Sequence, residues 1–577
     1  MFKTSSLRFI LKSAAEILGA VTMRKVWLLT FARVAVGLLD LAGVFLLSLF
    51  SFVAIHESSS SNSRLLHFAP RAISPLLLLG AALLTLSVKS LLSYYLNVKL
   101  TATLNARCSE LISERAKALA DTDKEKLDGF TTQQLHYMLT AGLRAGTTGV
   151  LNPLSTLVSE GSLLVLFAIF LLLTNAVAAI LTVICLGISS RQLHRFLSRR
   201  QYRNGQLTGS AAIKSVAGFQ EGMHGYKELF VRGTLTTVLE RFGNIELKIS
   251  RLQTAQTALG TLPRHVLETV VMLSLGLIAA TSILIDDIQS AVLLLTVFGA
   301  ATARILPSLI PLQASLAEIQ VNLGKAIDLE AVLKFGGKYQ QQLETDNPKS
   351  GHVVAPSLCF LDVSYKYPGA QVSALEEVKF DFVGPGWCAI DGPSGSGKST
   401  IFDLLMGIRT PSLGTVLING QNPWSFIRSN PGYCAYLPQR VSVANSSIAE
   451  NIAFGTPLDQ IDLSRVKELI DAVGLQVLSQ RSEQGLLEPI GELGSSLSGG
   501  QLQRLGIARC LYSNPSILLL DESTTGLDEL TQVSVLNLLE ELKATVLIVS
   551  ISHDERITRR ADYVIKILDG RINRARS

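Results

Sequence analysis

The chain of 577 residues predicts a multi-domain membrane protein: an all-α half with six transmembrane spans, then an α/β half built around a phosphate-binding P-loop. Three observations carry this. Hydrophobic residues make up 48% of the chain and charged ones 17%, with mean hydropathy +0.36, too apolar for an ordinary soluble enzyme. Long apolar runs fill residues 1–335, whereas residues 355–577 alternate short apolar strands with polar helices. The second half also holds Gly-x-x-x-x-Gly-Lys-Ser between an apolar strand and a helix.

Residues 1–22 open with MFKTSSLRFILKSAAEILGA, where Lys3, Arg8, Lys12 and Glu16 interrupt the apolar residues. A signal peptide needs an unbroken apolar core, so the pattern predicts an amphipathic elbow helix lying on the membrane. Residues 23–335 read as the transmembrane domain, with six spans at Val26–Ile55, Pro75–Leu96, Gly149–Leu173, Ala176–Ser190, Val266–Ile285 and Ile288–Leu312. Each is near or above the ~20 residues that cross hydrocarbon as a helix, except the fourth, which must continue into polar sequence. Connections after the first, third and fifth spans are short; those at Asn97–Thr148 and Arg191–Arg264 are long.

Charge predicts the orientation. Lys3, Arg8, Lys12, Arg24 and Lys25 precede the first span, and Arg191, Arg195, Arg199, Arg200 and Arg203 follow the fourth. Positive loops stay cytosolic, so both long connections and both termini are expected inside. Local breaks in DKEKLDGFTTQQLHYML and VAGFQEGMHGYKELFVRG predict short transverse helices touching the second domain. Residues 336–354 are polar and read as a linker. The six cysteines are scattered without a CxxC pair, so neither a disulfide frame nor a zinc site is indicated.

In residues 355–577, AIDGPSGSGKST runs through Gly392, Pro393, Ser394, Gly395, Ser396, Gly397, Lys398, Ser399 and Thr400. Glycines let backbone N–H groups turn toward phosphates, and the helix that follows adds its positive end. Lys398 can reach the β- and γ-phosphates, and the Ser399 hydroxyl can ligate Mg²⁺. The run SILLLDES reads as a buried strand delivering Asp521 to that metal, with Glu522 placed to orient or deprotonate an attacking water.

At LSGGQ, Leu497 to Gln501, the sequence resembles the ATP-binding cassette (ABC) transporters, whose signature motif this is. The companion motifs follow in order. Tyr367 in SYKYPG resembles the aromatic that stacks on adenine. Gln439 in YLPQR resembles the lid glutamine that bridges Mg²⁺ and the membrane domain. Asp528 in STTGLD matches the loop that crosses to the partner cassette, although Thr525-Gly526 stands where Ser-Ala is common. His553 in SISHD resembles the switch histidine at the γ-phosphate, and Glu492 matches an acidic coupling position of exporters. Six spans followed by one cassette resemble the exporter half-transporter. Ser498, Gly499, Gly500 and Gln501, at a helix start, are suited to cap the γ-phosphate of an opposing subunit. One chain cannot present its own signature to its own P-loop, so a second copy is expected, with a heterodimer as the alternative.

Lys89 and Arg304 lie well inside the second and sixth spans, and Arg264 stands at the cytosolic end of the fifth. Cations there are costly unless paired or facing water. Asp40 or Glu160 pairing with Lys89, and Glu268 pairing with Arg264, is the structural alternative to cargo binding. The phrases LPRHVLETV and ARILPSLIPL resemble bacterial lipid-linked oligosaccharide flippases, and RLLHFAPRAIS resembles their short external helix. That resemblance implies that Arg304, Arg264 and Lys89 attract the phosphates of a lipid-linked glycan. The expectation is an ATP- and Mg²⁺-dependent exporter or flippase of the bacterial inner membrane, working on membrane lipid or an amphipathic cargo, with no nucleic-acid partner. A peptide or antibiotic exporter is the alternative cargo reading. A soluble cassette ATPase is disfavoured by the six spans.

Overall fold

The computed structural model describes residues 4–56, 75–122, 124–174, 176–285, 288–336, 355–479, 485–490, 497–522 and 529–576. The chain divides into two compact units: residues 1–122 with 130–337, and residues 123–129 with 338–577. Asp123–Gly129, which falls within the expected transmembrane domain of residues 23–335, groups with the second unit.

The first unit is helical. Its long helices are α1 (Thr4–His56) and α2 (Pro75–Leu119), with the short α3 (Lys124–Leu127) of the second unit following in the chain. Then come α4 (Thr148–Thr174), α5 (Ala176–His224), the short α6 (Tyr226–Val231), α7 (Leu235–Ile285) and α8 (Ile288–Lys325). Each predicted span lies within one of the six long helices. The fourth does run on into polar sequence, making α5 49 residues long. Gly19, at φ 76°, breaks the helical path of α1 between the amphipathic start and the first span, a conformation that glycine adopts without a Cβ penalty. Residues 57–74, which hold the expected short external helix, and, beyond Gly336, the predicted linker lie outside the described residues.

Packing inside this unit is apolar. Leu163, Phe167, Leu186, Leu267, Val271, Ile305 and Leu309 form one buried cluster that joins α4, α5, α7 and α8. The opposite condition holds on the outer face of α2, where Leu76 is 81% exposed and Leu91 71%. Large side chains left uncovered along a helix suit a lipid solvent better than water. Among the described residues, the stretches Leu76–Leu119 and Thr132–Ile169 are long and apolar enough to cross a membrane.

The second unit is α/β. Strands β5 (Cys434–Leu437), β6 (Ile517–Asp521), β7 (Leu547–Ile551), β3 (Gly386–Asp391) and β8 (Tyr563–Leu568) run parallel in that order, and β9 (Arg571–Arg576) adds an antiparallel edge. A parallel sheet covered on both faces needs continuous apolar strands; every residue of β7 is buried. A smaller antiparallel sheet orders β2 (Leu375–Val383), β1 (Ser357–Tyr365) and β4 (Leu413–Ile418). Helices α9 (Lys398–Leu405), α10 (Gly499–Tyr512) and α11 (Glu529–Leu542) flank the strands. The carboxyl ends of β3, β6 and β7 lie side by side, and functional groups gather at such ends.

Candidate nucleotide site and intramembrane cavity

The P-loop leaves β3 at Asp391 and enters α9 at Lys398. Gly397 sits at φ 101°, and a Cβ there would stand 2.5 Å from the Ala374 carbonyl oxygen, so only glycine fits the turn. Lys398 Nζ donates to the Gly392 and Pro393 carbonyls at 2.7 and 2.9 Å, folding the ammonium back over the loop. Burial lowers its pKa, while Glu522, Asp391 and Asp521 oppose that shift. Ser396 Oγ is buried and has no hydrogen-bond partner among the described residues. An orphaned hydroxyl inside a glycine-rich anion cradle fits a phosphate group, since a buried polar atom without any partner is costly. Tyr367 reaches Thr400, its hydroxyl 3.0 Å from Thr400 Oγ1.

Beside the loop, β6 ends in Asp521, whose carboxylate accepts a 3.2 Å hydrogen bond from the Tyr436 hydroxyl. Burial raises the Asp521 pKa, and the Tyr436 bond partly offsets this. Glu522 follows at φ 46°, a strained position for a residue with a side chain, and such strain concentrates at functional sites. Gln439 Nε2 donates to Glu522 Oε2 at 2.5 Å. His553 stands between two carboxylates, Nε2 at 3.9 Å from Glu522 and Nδ1 at 3.7 Å from Asp391. The structure thus brings Lys398, Gln439, Asp521, Glu522 and His553 to one edge of the sheet. No cluster of three or more His, Cys, Asp or Glu side chains suited to a metal occurs among the described residues. The donor set of Ser399, Gln439 and Asp521 holds one carboxylate, which fits Mg²⁺ because that ion takes its remaining ligands from phosphate and water.

The signature segment is built separately. Ser498 caps α10, its Oγ accepting from the Gln501 backbone at 3.3 Å while Gln501 Oε1 accepts from the Ser498 N–H at 2.9 Å. This reciprocal cap leaves the N–H groups of Gly499 and Gly500 at a helix start. Ser498 and Gly499 are exposed, and the side-chain bonds of Ser498 and Gln501 stay within the cap. Asp528 and Glu492 lie outside the described residues.

Asp391 escaped the sequence reading. Its carboxylate accepts the Gly392 N–H at 2.8 Å and stands 3.4 Å from Lys566 Nζ, besides facing His553. An acid directly before the P-loop glycine was visible in the sequence, but its partners come from the ends of β7 and β8.

In the helical unit, a cavity of about 190 Å³ opens among α1, α2, α4 and α8, lined by Arg33, Asp40, Lys89, Ser159, Glu160 and Ser308. Lys89 Nζ is paired with Asp40 Oδ2 at 3.1 Å. Glu160 hydrogen-bonds Ser308. Among the described residues, Arg33 donates to the hydroxyls Ser155 Oγ at 3.3 Å and Thr156 Oγ1 at 3.5 Å, and it is attracted by the nearby Glu160 carboxylate. Arg264 pairs with Glu268 at 2.9 Å one turn along α7, with 61% of its side chain exposed. Lys89 and Arg264 thus each have a carboxylate partner within the chain, and Arg264 is not part of the cavity lining. Arg304 belongs to α8, but its side chain is outside the described residues.

Residues 375–525 match the ABC transporter family model. Across nearly the whole molecule the fold is similar to that of a bacterial Atm1-family ABC exporter solved with ATP bound, at TM-score 0.74, 19% identity, and coverage of 97% of this chain and 96% of that one. Residues 375–525 thus form an ABC transporter domain, and the whole chain resembles exporter-type half-transporters. Its P-loop half is an ATP-binding domain, and the protein is an ATP-hydrolysing transporter. Curated relatives of the half-transporter include the ATP-dependent lipid A-core flippase of Mannheimia succiniciproducens, 28% identical over 439 residues that cover 73% of this chain and 71% of that protein. The protein of the same description from Cupriavidus metallidurans is 29% identical over 439 residues, covering 74% and 70%. That from Haemophilus influenzae is 28% identical over 434 residues, covering 73% and 71%.

Proposed function

We propose that the half-transporter is a homodimeric, ATP-driven flippase that moves a phosphate-bearing, lipid-linked oligosaccharide across the bacterial inner membrane, with both cassettes and all termini in the cytosol. One observation carries the cargo reading: charged side chains line a cavity among helices that are otherwise apolar. Charges at that depth mark a pathway for a polar group more often than a structural accident. The names of the flippase relatives support the same reading. Within the cavity, Arg33 hydrogen-bonds two hydroxyls and meets Glu160 only through a longer-range charge attraction, so its guanidinium keeps donors for a phosphate. Lys89 contributes through a pair that an incoming anion must share with Asp40. Arg264 and Arg304 stand as further cations along the route.

Hydrolysis is assigned as follows. Lys398, the backbone of residues 392–400 and the orphaned Ser396 hydroxyl hold the phosphates, and Tyr367 stacks on adenine. Ser399, Gln439 and Asp521 would hold Mg²⁺, which would supply positive charge against the phosphates of ATP. Glu522 takes the proton of the attacking water, and His553 contacts the γ-phosphate. Ser498, Gly499, Gly500, Gln501 and Asp528 serve the site of the opposing copy.

The test is reconstitution. Purified protein in proteoliposomes, given Mg²⁺ and ATP, should move a fluorescent undecaprenyl-pyrophosphate-linked glycan between leaflets, and Glu522→Gln should abolish that movement. Active ATPase without glycan movement, or movement of a labelled peptide instead, would overturn the cargo assignment.

A further inference from the structure

Arg409 lies four residues beyond α9, and its guanidinium has a place no motif assigns. Nη2 donates to Asp128 Oδ2 at 2.8 Å, Nε to Asp403 Oδ2 at 3.0 Å, and Nη1 to the Tyr365 hydroxyl at 3.2 Å. The same group lies 4.7 Å from the ring centroid of Tyr367. Tyr365 in turn donates to Glu125 Oε1 at 2.8 Å. Glu125 and Asp128 belong to Asp123–Gly129, the segment that clusters with the cassette although the chain enters it from membrane helix α2 and leaves it back into the helical unit.

The arrangement is rigid. The Arg409 side chain is 10% exposed, and a planar fork with three acceptors in fixed directions cannot turn without breaking a charge-assisted bond. Burial, then the bond to Glu125, pushes the Tyr365 hydroxyl up to about 12, so it stays a donor throughout the physiological range. Any displacement of the Tyr367 ring is therefore felt by the guanidinium stacked against it, and through Nη2 by Asp128.

We propose that Arg409 is a positioning residue that ties adenine occupancy at Tyr367 to the order of the Asp123–Gly129 segment. An adenine stacked on Tyr367 fixes that ring, the ring fixes Arg409, and Arg409 holds Asp128 and, through Tyr365, Glu125. Coupling of this kind is reciprocal: whatever holds the segment in place from the membrane side tightens ATP binding by the same factor. The proposal rests on the adenine role of Tyr367 and is independent of the cargo.

The experiment uses the full-length protein in nanodiscs. Hydrogen–deuterium exchange of residues 120–130 is followed with and without a non-hydrolysable ATP analogue, alongside its Kd, in wild type, Arg409→Met, Arg409→Lys and Asp128→Asn. In wild type the analogue should slow exchange in this segment several-fold. In Arg409→Met and Asp128→Asn the analogue should still bind, within about tenfold of the wild-type Kd, yet leave exchange of the segment unchanged; Arg409→Lys, which keeps charge but loses the fork, should fall between. A structural role alone would raise exchange in the free protein and leave the analogue-induced difference intact, and that outcome overturns the proposal. Inorganic tripolyphosphate, which has phosphates but no base, should bind without protecting the segment; equal protection by it also overturns the proposal. Tyr367→Ala separates the two failures. If this variant binds the analogue as wild type does, the adenine role itself is wrong, whatever Arg409 does.

Discussion

Gln439 and Glu522 are joined by a 2.5 Å hydrogen bond, Nε2 to Oε2, so the residue assigned as lid and the residue assigned as base report on each other. Nucleotide between them must separate or share that bond. Glu522→Gln removes the carboxylate but leaves Lys398 and the metal donors. ATP turnover should fall at least ~100-fold, the usual contribution of a general base, while ATP still binds and closed dimers accumulate. Phosphate release and equilibrium nucleotide binding on one preparation check this; turnover within about twofold of wild type removes Glu522 from that role.

Ser498→Arg places a bulky cation at the capped start of α10 and should block turnover from the opposite face of a two-chain site. Mixed dimers give the discriminating result. A Lys398→Ala chain paired with a Ser498→Arg chain keeps one composite site with both elements intact, and should retain up to about half of the activity. Turnover by an isolated monomer contradicts the shared site.

Asp391→Ala removes the acceptor of the Gly392 N–H and the carboxylate that faces His553 and Lys566. A lost hydrogen bond to a charged group is worth about 1.5–3 kcal/mol, and the exposure of this site places it at the lower end, so kcat should drop roughly tenfold. Asp391→Asn keeps an acceptor for Gly392 and should recover part of kcat. Equal kcat for wild type and both variants would show that Asp391 is a bystander.

Asp40→Asn strands Lys89 in the cavity and should lower the melting temperature, because the part-buried ammonium loses its carboxylate partner. Asp40→Asn combined with Lys89→Met should restore much of that stability. Thermal unfolding and glycan translocation of the double variant then separate the two roles of the pair. Restored stability with full translocation makes the pair structural; restored stability without translocation makes Lys89 part of the cargo path.

Arg33→Gln keeps hydrogen bonds to Ser155 and Thr156 within reach but removes the charge. It should leave basal ATPase within about twofold of wild type and reduce glycan translocation at least ~10-fold, the scale of one charge-assisted bond. Unimpaired translocation assigns the anion to other cations.

What was legible in the chain was whatever chemistry contiguous residues carry. The P-loop had to be a glycine-rich turn between a strand and a helix because phosphate is bound by successive backbone N–H groups, and β6 had to end in adjacent acids to serve metal and water together. The pairing of Lys89 with Asp40 and of Arg264 with Glu268 was among the alternatives that their positions allowed. Arg33 was legible as an ionisable residue within the first span but not as a cargo cation, since its hydroxyl partners Ser155 and Thr156 come from another helix.

Hydropathy runs, charge asymmetry between loops and the order of the motifs establish the fold class, the rhythm of spans and the nature of the nucleotide. Each depends on solvent preference or backbone geometry over a short window, and a linear sequence records such windows directly. Arg409 meets Asp128 across 281 positions of the chain, and Asp391 meets Lys566 because β3 and β8 are neighbours in the sheet. Contacts of that kind come from how whole elements pack. An ion pair needs its two groups within about 4 Å, and it is packing that sets those separations.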